Sequence, residues 1–210
     1  DDVIGKMVSL EVLSVERMSE PLRAFPEVSF AGLRRLVVIK AAHNEILALP
    51  DVFKFVFRVE YVDLSHNLLT QLPPSMTNCQ RLKVLLVNNN RLKQFFKGCS
   101  NLKSLHTLDI SHNKLTKLSR GLGGLFLSHD LKNFDLSSNE WEMPPEEICS
   151  QGEKRMLMYV GELWKAKLAN GISLCNFSLS RVYEDIIQDN LVELALDDND
   201  ISVIPPSISR

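Results

Sequence analysis

The sequence predicts an α/β repeat solenoid with one short strand per repeat. Two observations predict it: an eleven-residue phrase that recurs along the chain, and the near-constant spacing of its copies. The phrase is LxxLxLxxNxL. Clear copies begin at Leu36, Val59, Leu82, Leu105, Leu131 and Leu191. Their ninth positions are Asn44, Asn67, Asn90, Asn113, Asn139 and Asn199, and the first four of these are spaced by 23 residues. Weaker copies begin at Leu10, with Met18 in the asparagine place, and at Ala169, with Phe177 there, making about eight repeats across residues 1–210.

Each part of the phrase has a physical reason. Positions four and six are apolar and alternate with more polar neighbours, so they form a short strand with one face inward. The asparagine then closes the turn, because a side-chain amide can satisfy both a backbone donor and backbone acceptors where the chain leaves the strand. Spacing widens after Asn139, with 38 residues to Phe177. The extra stretch predicts an inserted helix over residues 146–168: Pro144 and Pro145 pre-set its entry, Glu146 and Glu147 occupy the first turn, and Asn170-Gly171 stops it. Met156, Val160, Leu163, Trp164 and Leu168 fall on one stripe, which is expected to pack on the solenoid. Gly121, Gly123 and Gly124 sit in a slightly lengthened repeat and read as a loose turn, since neither GxxxxGK nor GxGxxG is present.

The phrase and its spacing resemble the leucine-rich-repeat (LRR) family over essentially the whole chain. The second halves of the repeats, as in LLTQLPPSMTNCQRL, are similar to its intracellular 23-residue, Ras-group-like class, and PPEEICSQGEKRMLMYV resembles the segment that often follows an array of that class. This resemblance implies a horseshoe with a parallel β-sheet on the concave face and loops, short 3-10 turns or helices on the convex face. It also implies a protein-binding scaffold or adaptor. Both ends read as partial repeats, so the expectation is either that the chain is part of a longer array or protein or that something else covers these ends.

Composition narrows the function classes. A formal net charge of -2 lacks the excess of Lys and Arg that nucleic-acid binding requires, so no nucleic-acid partner is expected. Cys79, Cys99, Cys149 and Cys175 form no CxxC pair and no terminal cluster, which fits a reducing, cytoplasmic setting. No apolar run reaches transmembrane length. Charge is uneven along the chain. Arg81 to Arg120 carries Arg81, Lys83, Arg91, Lys93, Lys97, Lys103, Lys114, Lys117 and Arg120 against Asp109 alone, whereas Val182 to Ser209 carries only acids, Asp189 among them.

If the strands line the hollow of a horseshoe, positions three and five point into it. Val12, Val38, Tyr61, Val84 and Leu86 then form an apolar band on the N-terminal half, with Lys40, Asp63, Asp109 and Asp135 beside it. An exposed band of this kind marks an interface, and Tyr61 is its expected anchor because aromatics with a polar tip are enriched at binding hot spots. These nine residues are the candidate site for a protein partner. The competing reading is that the apolar pairs only stabilise the sheet and that the aspartates are solvated turn residues. His43 and His66 occupy adjacent rungs, but no third metal ligand accompanies them, and no Ser or Cys can be set beside an oriented base. No cofactor, metal or catalytic role is therefore assigned. A second reading makes the chain the recognition segment of a larger signalling enzyme (GTPase, kinase, phosphatase or cyclase), or the regulator of a phosphatase or Ras-type GTPase.

Overall fold

The computed structural model describes residues 4–187 and 191–205. Asp189 of the acidic run and the terminal residues after Pro205 lie outside them. Every predicted repeat supplies one three-residue strand: β1 (Val12–Ser14), β2 (Val38–Lys40), β3 (Tyr61–Asp63), β4 (Val84–Leu86), β5 (Thr107–Asp109), β6 (Asn133–Asp135), β7 (Gly171–Ser173) and β8 (Glu193–Ala195). Strands β1 to β6 pair in sequence order as a parallel sheet, and β7 and β8 form a second parallel pair. The array is thus divided, with the break falling at the predicted interruption.

Inward-facing side chains make the core. The central residues of β2 to β5, namely Ile39, Val62, Leu85 and Leu108, are almost fully buried, as are the first-position residues Leu36, Val59, Leu82 and Leu105. Each such side chain removed from water contributes roughly 1.5 to 3 kcal/mol, so stacking one repeat on the next stabilises both. The asparagines behave as expected. Asn90 donates from Nδ2 to the carbonyls of Leu64, Val87 and Asn88, and its Oδ1 accepts from the N–H of Leu69 in the preceding repeat. Asn44, Asn67, Asn113 and Asn139 repeat this pattern, so each turn is tied to its predecessor.

A second regularity was not read from the sequence. All eight residues at position eight, from Arg17 and His43 through Asn176 and Asp198, have φ between 48° and 58°. Left-handed backbone disfavours side chains, and Asn, Asp and His tolerate it better than most. The asparagine that follows holds the turn in place.

On the opposite side, short 3-10 turns at Pro74–Asn78 and Cys99–Asn101 give way to helices α2 (Arg120–Leu127), α3 (Glu146–Cys149) and α4 (Glu153–Ala169), while α1 (Glu27–Gly32) stands near the start. Three expectations are corrected here. The single helix over 146–168 is two helices, because Gly152 sits at φ +95°, where a side chain would be strained. Gly121, Gly123 and Gly124 belong to a helix rather than to a loose turn, and α2 packs on α4. A Cβ on Gly123 would meet the backbone nitrogen of Gly161 at 2.2 Å, so the two helices touch backbone to backbone. Finally, the predicted stripe is misplaced at its end. Leu168 is 74% exposed and Trp164 half-buried, whereas Leu157, Tyr159 and Ala166 join Met156, Val160 and Leu163 in the core. Helix α4 buries more than one stripe because it is held between α2 and the repeat that follows.

Candidate protein-binding surface

The strand register brings the predicted site residues together in two rows. Val12, Val38, Tyr61 and Val84 are successive partners across β1 to β4, continued by Thr107 and Asn133. Ser14, Lys40, Asp63, Leu86, Asp109 and Asp135 form the parallel row two residues further on. All of them sit on the face opposite the core. Val12 is 54% exposed, and Val38, Tyr61, Val84 and Leu86 are half-buried. That intermediate burial reflects contact with flanking rungs, the cross-strand packing that stabilises any sheet. Lys40 Nζ lies 5.8 Å from the centre of the Tyr61 ring, at the outer reach of a cation–π contact. Partial burial first, and the carboxylates of Asp63 and Glu16 second, push the Tyr61 phenol up, so it is a neutral hydrogen-bonding tip at physiological pH.

Three aspartates have structural work of their own. Asp63 accepts from the N–H and hydroxyl of Ser65, Asp109 from Ser111, and Asp135 from Ser137, each through the same oxygen at 2.7 to 3.0 Å. These are Asx-type turns that close each strand. At Asp135 burial raises the pKa, but the bonds from Ser137 outweigh that and hold the carboxyl below its ordinary range.

Glu153 is a residue the motif gave no means of finding. Its carboxylate accepts the N–H of Leu136 at 2.7 Å, where β5 uses a carbonyl of the next rung for Ile110. It stands in for the absent seventh strand of the main sheet. Burial first, and then the neighbouring Asp135 and Asp109, push its pKa up despite that bond. A related substitution occurs where Phe177 replaces the asparagine. Gln151 donates to the Phe177 carbonyl at 3.0 Å, Arg155 donates to the Asn176 carbonyl, and the Arg155 guanidinium covers the Phe177 ring at 3.8 Å.

Two of the three histidines at position eight, His43 and His66, stack on each other. The His43 and His66 rings lie 4.2 Å apart and 10° from parallel, and Arg17 is 3.4 Å from His43 Nε2. Among the described residues no three His, Cys, Asp or Glu side chains come together to hold a metal ion. All four cysteines are free thiols. Burial pushes Cys79 up to about 12 and Cys99 to about 11, so both are unreactive neutral groups. Among the described residues no helix is long and apolar enough to cross a membrane.

Comparison with known proteins agrees with this geometry. Family models for leucine-rich repeats match residues 58–79 with one copy and residues 80–124 with two. No curated protein matches the sequence. Among solved structures, an LRR protein of Leptospira interrogans superposes with a TM-score of 0.61 at 21% identity, covering 98% of this chain and 47% of its own. The LRR ectodomain of the receptor kinase SOBIR1 from Arabidopsis thaliana gives 0.53 at 24% identity, covering 60% of this chain and 68% of that one. The internalin InlF of Listeria monocytogenes gives 0.55 at 18% identity, covering 75% and 47%. The chain thus spans about half the length of the Leptospira protein and of the internalin. At these identities the likeness is one of fold. Residues 58–124 are leucine-rich repeats, and the chain folds as a leucine-rich-repeat solenoid, an architecture typically used as a protein–protein interaction module.

Proposed function

We propose that this LRR domain is a non-enzymatic scaffold or adaptor that binds one folded protein on its concave face. Val12, Val38, Tyr61, Val84 and Leu86 supply the apolar contact, with Lys40, Asp63, Asp109 and Asp135 around it. The observation that carries the reading is the strand register. It sets four apolar residues in one unbroken row across β1 to β4, with Leu86 two residues away on the same face. A partner's apolar side chain placed between Tyr61 and Leu86 would complete the half-burial that neighbouring rungs begin.

The repeats are read as the intracellular 23-residue class, which the spacing of Asn44, Asn67, Asn90 and Asn113 and the four free thiols support. The second reading, a recognition segment within a signalling enzyme or a regulator of a phosphatase or Ras-type GTPase, uses the same surface. It differs in predicting a catalytic domain in the same polypeptide or a specific enzyme as partner. Affinity purification with mass spectrometry, comparing the natural chain with a Tyr61→Asp, Leu86→Asp double variant whose fold is verified by circular dichroism, tests the surface. The expected outcome is a partner captured by the natural chain and lost by the variant. Equal capture by both removes the concave band from the interface.

A further inference from the structure

We propose that the convex flank carries a binding site for a compact ligand bearing two or more phosphate groups, independent of the concave surface. Two adjoining clefts, of about 380 and 560 Å³, share Lys97 and Ser119. Lys93 and Lys117 line the first and Lys167 the second, so four lysines surround the pair, and neither cleft has an acidic residue in its lining. None of these lysines is ion-paired among the described residues. Lys93, Lys97 and Lys117 around one cleft and Lys97 and Lys167 around the other are like charges, and a bound polyanion relieves their repulsion.

The rest of the lining is built to donate. Trp164 borders the second cleft, and its half-buried indole N–H has no hydrogen-bond partner among the described residues. The first turn of α2 lines the same cleft, and its N-cap Ser119 makes no side-chain bond to the helix, its hydroxyl lying 3.2 Å from the Cys99 sulfur. The Leu122 N–H turns back to the Ser119 carbonyl at 3.0 Å, and no side-chain oxygen caps the positive end of that helix. Arg120 is not counted among the free cations, because its guanidinium donates to the Asp185 carbonyl at 2.9 Å.

The shape selects the ligand. The four lysines are exposed at the rims of two open clefts, which a compact anionic group can enter. Two clefts with shared walls fit two anionic groups on one frame. Phosphates concentrate more charge and more acceptor oxygens in that space than carboxylates do. Such phosphates could belong to a soluble molecule or to a lipid headgroup, and the test separates the two sources.

Tripolyphosphate is titrated calorimetrically into the full chain at about 0.1 M salt, where unspecific surface attraction is screened beyond roughly 10 Å. Saturable binding is expected, weakened by about tenfold or more in Lys97→Glu and in Lys167→Glu. Lys114→Glu, which reverses a charge of the same basic run outside both clefts, should leave it nearly unchanged. Lys97→Ser serves as a milder variant should the reversal disturb the fold. Phosphatidylcholine vesicles with and without phosphatidylinositol 4,5-bisphosphate then assign the source. Lys97-dependent vesicle binding tighter than that of the soluble headgroup identifies a lipid, and its absence identifies a soluble phosphate. The proposal is overturned by a titration without saturation, by equal weakening in Lys114→Glu, or by a hexaglutamate peptide that binds more tightly with the same dependence on Lys97.

Discussion

From β1 to β6, and again from β7 to β8, the same eleven-residue phrase recurs, with the same asparagine geometry in six of its eight copies, yet the first run makes six paired strands and the second only two. The difference lies on the other side of the solenoid. Up to β5 the convex legs of the main array are mostly turns, which stack at the spacing of strands, about 4.8 Å. Between β5 and β7 two α-helices, α2 and α4, face each other, and helices ordinarily pack 8 to 10 Å apart, roughly twice that spacing. Gly123 and Gly161 bring them closer than most pairs, but β6 and β7 still part. The polar groups exposed by the parting are met by side chains of α4 and the segment before it, Glu153 on the main sheet and Gln151 and Arg155 on the second.

The sharpest way to test this contrast is to remove equivalent asparagines from the two regions. Asn90 is 8% exposed, and Asn90→Ala leaves the buried N–H of Leu69 without an acceptor, while the carbonyls of Leu64, Val87 and Asn88 each lose one of two donors. It should cost about 3 kcal/mol, at the upper end for an orphaned buried group. Asn199 makes the corresponding bonds at a half-buried position, where water can replace the amide. Asn199→Ala should cost about 1 kcal/mol. Urea unfolding of both variants measures the difference, and equal losses would mean that the two regions are equally closed to water.

The joint between the regions is the next target. Gly123→Val sets a branched side chain against the Gly161 backbone and forces α2 and α4 apart, at a cost of about 2 kcal/mol for overpacking that cannot relax through a flexible neighbour. Limited proteolysis should then cut preferentially near α4 while the β1 to β5 region stays protected. Uniform cleavage along the chain would show that the joint is no weaker than the rest.

What could be read in advance follows from repetition. The strand positions recur eight times and the asparagine turn six, so each copy corroborates the others, and residues such as Val38, Tyr61 and Val84 fall in one row as that register requires. Helix α2 could not be read, because Gly121, Gly123 and Gly124 each lower local helix propensity, and only close neighbours explain their place in a helix, Cys99 and Ser100 against Gly121 and helix α4 against Gly123 and Gly124. The exposure of Leu168 was likewise hidden. A one-stripe reading assumes one neighbour, and α4 has more than one. Glu153 carries no motif at all, since its role exists only where a strand is missing.

That role predicts the smallest effect, with a definite sign. The folded protein holds the Glu153 carboxyl above its ordinary 4.5, through burial first and the nearby Asp135 and Asp109 after it. A carboxyl raised on folding binds its proton more tightly in the folded state, so its contribution to stability is full below pH 4.5 and is lost as pH rises through the raised value. Glu153→Gln keeps an oxygen for the Leu136 N–H and discards the charge. The variant should match the parent in acid and become the more stable of the two by pH 7, seen as a small rise in melting temperature that vanishes below pH 4.5. Asp135 works in the opposite direction, its stabilising contribution present above 3.8 and lost as pH falls through its lowered value, and the substitution leaves its bonds to Ser137 in place. A variant less stable than the parent at pH 7 would show that the ionised carboxylate, and not merely an acceptor oxygen, is what the broken edge of the sheet requires.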